Sequence, residues 1–148
     1  MRFRKLSIEE LEILEKAFIQ FLAVSGVEAN DWETFKTTNP IFCEEKIEEF
    51  SDVVIGGVLH KAKYAEHCTK SDWMLFKLEE EEIHLIVVHS DELDLTSHSI
   101  TEEDYTKIDV FKKSKLYSQN KEDDLFQMMN QGCVITDGDL FEKFSMLD

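Results

Sequence analysis

The chain has 148 residues, with 16 Lys and Arg against 32 Asp and Glu, and so a formal net charge of −16. That length fits one domain of about 100 to 200 residues, and 43% hydrophobic residues with eleven phenylalanines supply the core that a disordered chain lacks. The negative field repels phosphate backbones, which argues against nucleic acid as a partner.

Met1-Arg2-Phe3-Arg4-Lys5 is basic, but Glu9, Glu10, Glu12 and Glu15 follow where a secretory signal needs an apolar run, so no signal peptide is expected. No apolar run approaches the roughly eighteen residues that mark a spanning helix, and no membrane partner is expected. Cys43, Cys68 and Cys133 are an odd set without a CxxC pair. This fits reduced, buried thiols in a cytoplasm better than a disulfide framework.

Ser7, with Glu10 three residues on and Leu6 and Leu11 as a hydrophobic staple, predicts the start of one helix that runs to Gly26. Its apolar stripe is Leu11, Leu14, Phe18, Phe21 and Leu22. Asn30 with Glu33 predicts the cap of a short helix carrying Trp32 and Phe35, and Asn39-Pro40 predicts its end and the start of a longer one. In that longer helix Cys43, Ile47, Phe50, Val54 and Val58 form the inner stripe. Gly56-Gly57 falls within it and reads as a close crossing or an early end, since no Lys-Ser/Thr follows to make a phosphate loop.

From Lys63 the period changes to two. Strands are predicted over Tyr64 to Cys68, Trp73 to Glu79 and Glu82 to His89, with connections short enough for antiparallel hairpins. Setting Leu78 opposite Ile83 puts Phe76 with Leu85 and Met74 with Val87 on one face, which reads as pure core. The other face carries Trp73 with Val88, Leu75 with Ile86 and Lys77 with His84, so its Trp73 end needs a cover, either a helix or another subunit. Residues 90 to 99 read as loop, Thr101 as the cap of a single turn, and Ile108 to Tyr117 as a fourth strand whose Lys112, Lys113 and Lys115 suit an exposed edge. Asn120 caps a helix that stops at Gly132, and Thr136-Asp137-Gly138-Asp139 starts the last one, with Leu140, Phe141, Phe144 and Leu147 as its buried face. The order predicts a single α+β domain over 1–148: a helical N-terminal half, an antiparallel sheet of three to four strands built from hairpins, and a helical C-terminus.

No nucleophile elbow, calcium-loop pattern or zinc spacing is present, and no cofactor is expected. The histidines are His60, His67, His84, His89 and His98. Strand parity sends His67 and Cys68, and likewise His84 and His89, to opposite faces. His89 with Asp91 at a strand end is therefore the best nucleus for a metal. Glu79 to Glu82 reads as a solvated hairpin tip.

Three stretches, Met1 to Glu33, Phe50-Ser51-Asp52-Val53-Val54 through Gly57-Val58-Leu59-His60-Lys61, and Gln131-Gly132-Cys133-Val134-Ile135-Thr136, together resemble a small family of acidic bacterial proteins of unknown function. The resemblance runs over most of the chain and carries over no functional residues. A histidyl-tRNA synthetase label sometimes attached to such sequences would imply an ATP site and tRNA binding. Arg2 and Arg4 are the only arginines here, and the chain is shorter than a class II catalytic domain.

The leading expectation is a non-enzymatic cytoplasmic domain that binds a protein partner, or a second copy of itself, through Trp73, Leu75, Ile86 and Val88. One alternative is an enzyme or small-ligand site at the open end of the sheet near Lys77, His84, His89 and Asp91. The other is an acidic inhibitor or immunity-type protein that masks a basic partner.

Overall fold

Ser7 opens the first helix in the computed structural model of the chain, which describes residues 1–97 and 99–147. Its side chain accepts from the Glu10 backbone while Glu10 reaches back to the Ser7 N–H, and the guanidinium of Arg4 clamps the Glu10 carboxylate at 2.8 and 2.9 Å. Arg4 first, and the backbone N–H of Ser7 after it, hold the Glu10 carboxyl down at about 2. The expected single helix is two: α1 (Ile8–Ile13) and α2 (Glu15–Val24), divided at Leu14, whose backbone leaves helical geometry for one residue. Gly26 ends α2 at φ 84°, as expected of a left-handed cap.

Helix α3 (Ala29–Thr38) is capped two residues earlier than expected, because Glu28 and Asp31 make the reciprocal pair instead of Asn30 and Glu33. Asn39 separates it from α4 (Pro40–Lys61), which runs unbroken through Gly56-Gly57. Gly56 faces the ring edge of Phe3, 3.4 Å from where a Cβ would stand, so its close crossing is with the N-terminal segment. Two α4 residues hold that segment. The buried Ser51 hydroxyl accepts the Leu6 N–H and donates to the Ile47 carbonyl, and Asp52 accepts the N–H groups of Arg2 and Phe3. Phe18, Phe21, Trp32 and Phe50 pack ring to ring at centroid separations of 5.0 to 6.4 Å.

The residues group into two compact units, Met1–Val58 and Leu59–Asp148. The second is built on a five-stranded sheet, one strand more than the upper expectation, in the order β4-β3-β2-β1-β5. The strands are β1 (Tyr64–Cys68), β2 (Asp72–Leu78), β3 (Glu82–His89), β4 (Asp109–Leu116) and β5 (Val134–Thr136), and every neighbouring pair is antiparallel. The β2–β3 register is the one the sequence predicts, from Leu78 opposite Ile83 to Trp73 opposite Val88. A 3-10 helix, η1 (Glu102–Lys107), precedes β4. Helices α5 (Lys121–Asn130) and α6 (Asp139–Ser145) flank β5.

The Trp73 end of the second face is covered, as the sequence requires, while the first face, expected to be pure core, is buried over only part of its length. The Trp73, Leu75, Ile86, Val88 face is the best-buried core in the sheet, covered by Phe141 and Phe144 of α6 and by Leu95 and Ile100 of the segment before η1. Of the two covers foreseen, the structure takes the helix, so these four residues offer no surface for a second subunit. The Trp73 indole N–H donates to the Leu95 carbonyl, and Lys143 of α6 donates to the Ile100 carbonyl, which ties the segment down over the face. The opposite face is buried at its Leu78–Ile83 end, where α5 lies beside Ile83 and Lys115, but its Met74–Val87 end is only half-buried.

Candidate functional site

The pleat sorts the chemistry-bearing side chains of the sheet into two groups, on opposite faces and at opposite ends. The first lies on the half-buried face. The pairing register sets Asp72 beside His89 and Asp109, and in the next row His67, Met74, Val87 and Phe111. His67, Thr69, Asp72, Met74 and Val87 line a cleft of about 220 Å³. Phe111, on the outermost strand, is 60% exposed and extends the apolar strip to the sheet edge.

His89 has both ring nitrogens engaged: Nδ1 lies 2.8 Å from Asp72 and Nε2 lies 3.0 Å from Asp91. The two carboxylates, Asp72 more than Asp91, raise the imidazole pKa above its ordinary value. They sit on different sides of the ring, so they cannot close on one ion together with it. The expected His89–Asp91 metal nucleus is thus a doubly clamped imidazole.

The second group lies on the α6 face at the far end of the strands. Tyr64, Lys77, His84 and Ser114 are register neighbours across β1, β2, β3 and β4. Glu142 of α6 reaches down to this row, accepting the Tyr64 hydroxyl at 2.5 Å and lying 3.4 Å from the Lys77 ammonium. The Tyr64 hydroxyl bond, and then Lys77, hold the Glu142 carboxyl below its usual range, while the Lys77 ammonium is raised chiefly by Glu142. His84 Nδ1 lies 2.5 Å from the Ser114 hydroxyl, and its Nε2 lies 3.0 Å from Glu79 and 3.4 Å from Glu82. Beside it a cleft of about 300 Å³ is lined by His84, Ile86, Lys112, Ser114, Phe141 and Ser145. The expected site that joined Lys77 and His84 to His89 and Asp91 does not assemble, since five residues along β3 separate the two histidines in both face and height. His98 lies outside the described residues.

Sequence reasoning missed Tyr64, Ser114, Glu79, Glu82 and Glu142 as partners of these groups. A register for β1 and β4 of the kind drawn for β2–β3 would have placed Tyr64 and Ser114; nothing local marks Glu142. The thiols are free. Cys43 and Cys133 are buried as expected, whereas Cys68, at the end of β1, is exposed. Partial desolvation and then the Glu66 carboxylate still push the Cys68 thiol up to about 11, and burial raises Cys133, so neither is poised as a nucleophile.

Edge strand β4 completes the surface. Seven of its eight residues, all but Val110, are exposed, whereas the opposite edge, β5, is three residues long. Lys113 and Lys115 follow Phe111 on the half-buried face; Lys112 points to the other, where it reaches the Ser145 carbonyl of α6 at 3.0 Å.

An antiparallel α+β unit with one long open edge, preceded by a helical unit, is the class of protein these elements define. The chain belongs to a family of unknown function, DUF6495, whose model matches residues 1–148, and nothing in that match supports a tRNA synthetase. Neither the curated proteins nor the solved structures compared with it give a match.

Proposed function

We propose that the chain is a non-enzymatic protein-binding domain that takes an extended, acidic segment of a partner protein along β4. The observation that carries this reading is the composition of that edge: an open eight-residue strand bearing Phe111, Lys113 and Lys115 beside the half-buried Met74 and Val87, in a chain of net charge −16. An added strand gains main-chain hydrogen bonds from an unpaired edge, and alternate side chains set its specificity. Acids in the added strand would meet the lysines, and an apolar residue would meet Phe111. Pairing β4 with β4 of a second copy would instead bring lysines toward lysines between two strongly negative molecules. A partner of different sequence therefore fits the edge better than a homodimer. The free thiols fit a reducing, cytoplasmic setting.

The test is fluorescence anisotropy with a labelled peptide of alternating Glu and Val matched to β4 in length, and a Lys and Val peptide as control. The acidic peptide is expected to bind, to weaken as salt rises, and to lose binding in a Phe111→Glu, Lys113→Glu variant. Equal binding of both peptides, no binding, or a homodimer by light scattering that Phe111→Glu dissociates would each overturn the reading.

A further inference from the structure

We infer that Glu79, Glu82 and His84, at the tip of the β2–β3 hairpin, form a binding site for a divalent transition-metal ion of the Zn²⁺ class. Each residue offers one ligand atom, and the three atoms lie within 4.8 Å of one another. The His84 Nε2 stands 3.0 Å from the Glu79 carboxylate and 3.4 Å from that of Glu82. Tetrahedral zinc with bonds of about 2.0 to 2.1 Å places its ligand atoms roughly 3.3 Å from one another, so the two histidine–carboxylate separations already lie near what a shared ion requires. The donor types agree as well, imidazole nitrogen and carboxylate oxygen both being ordinary zinc ligands.

The strands explain why the three converge. Glu79 and Glu82 are the ends of the hairpin turn, joined by the Glu79 N–H to the Glu82 carbonyl at 3.0 Å, and His84 lies two residues further along β3, on the same face as Glu82. The carbonyl of Glu79 is also held from outside the hairpin by the Tyr117 hydroxyl at 2.6 Å. On the other side of the imidazole, Ser114 of β4 holds Nδ1. When Nδ1–H donates to the Ser114 hydroxyl, the Nε2 lone pair is turned toward the two carboxylates, the orientation that an outer hydrogen bond imposes on a metal-bound histidine. Three acceptors then face one point. Two carboxylates brought together there repel, and a divalent ion neutralises both where a protonated imidazole neutralises one. Three protein ligands leave a fourth position open to water or to a small anion.

The proposal is independent of the β4 reading and is tested on the whole chain after dialysis against a chelator. Titration calorimetry with ZnCl₂ is expected to show one ion per chain, and Co²⁺ is expected to give the intense visible bands of a tetrahedral site. His84→Gln and Glu82→Gln should each weaken Zn²⁺ binding by tenfold or more, with Ser114→Ala giving a smaller loss and His89→Gln none. If His84→Gln fails to fold by circular dichroism, Glu82→Gln, on the exposed hairpin, carries the test. Absence of Zn²⁺ binding, or binding that survives both hairpin substitutions, or binding abolished by His89→Gln or Cys68→Ser, would overturn the assignment.

Discussion

Gly138 shows how one residue can hold the buried face together. It caps α6 at φ 85°, and a Cβ there would run into the Tyr64 ring, so alanine meets both an unfavourable backbone conformation and a clash. Gly138→Ala should cost about 2 kcal/mol or more in urea unfolding. Ser51 acts similarly in the N-terminal unit. Removing its hydroxyl leaves the buried Leu6 N–H without its acceptor, and Ser51→Ala should cost about 1 to 3 kcal/mol. The Phe50-Ser51-Asp52 stretch, read in the sequence only as part of a resemblance, is thus the clip that holds the chain's opening residues. At His89 the argument is one of charge. Its folded pKa is raised by Asp72 and Asp91, so the clamp contributes fully below the unfolded value of 6.5 and is lost as pH rises through the folded one. An NMR titration should place the His89 midpoint above 6.5, and Asp72→Asn should lower it more than Asp91→Asn does. A midpoint at or below 6.5 would contradict the clamp.

At the scale of elements, much of the chain was legible. The β2–β3 register, the Ser7 box, the Asn39-Pro40 junction and the Asn120 cap follow from local patterns that tertiary structure leaves in place. Strand β5 was not, because three residues cannot display an alternation and Val134–Thr136 pairs only by lying against β1. Which cover lies over the Trp73 face was also not legible. Polarity along one strand pair makes the Lys77–His84 face look half-wet, yet α6 presents Phe141 and Phe144 to its Trp73 end while Glu142 on the same helix answers Tyr64 and Lys77. Cover by α6 makes a prediction of its own. Phe144→Ala, emptying a fully buried position against the Trp73 ring, should cost about 3 to 5 kcal/mol and weaken the near-ultraviolet dichroism of Trp73. The metal-ligating groups were legible only in part: His84 was singled out, but Glu79 and Glu82 read as a solvated tip, since their convergence on the imidazole depends on the turn and on Ser114 of another strand.

For the whole molecule, the charge of −16 is spread along the sequence and part of it is locally engaged, in caps such as Glu10, Glu28 and Asp123 and in clamps such as Asp72 and Glu142. Against that background the lysines of β4 are a local exception, and they lie on a long strand at the edge of the sheet. Native sheets charge such edges to discourage indiscriminate pairing, and the same charge selects for a partner of opposite sign. The most direct measurement is amide hydrogen exchange of the whole chain with and without the Glu and Val peptide. The account predicts slowed exchange confined to β4, from Asp109 to Leu116, with the α6-covered face unchanged. Protection that falls elsewhere, or β4 amides that exchange equally fast in both samples, would contradict it.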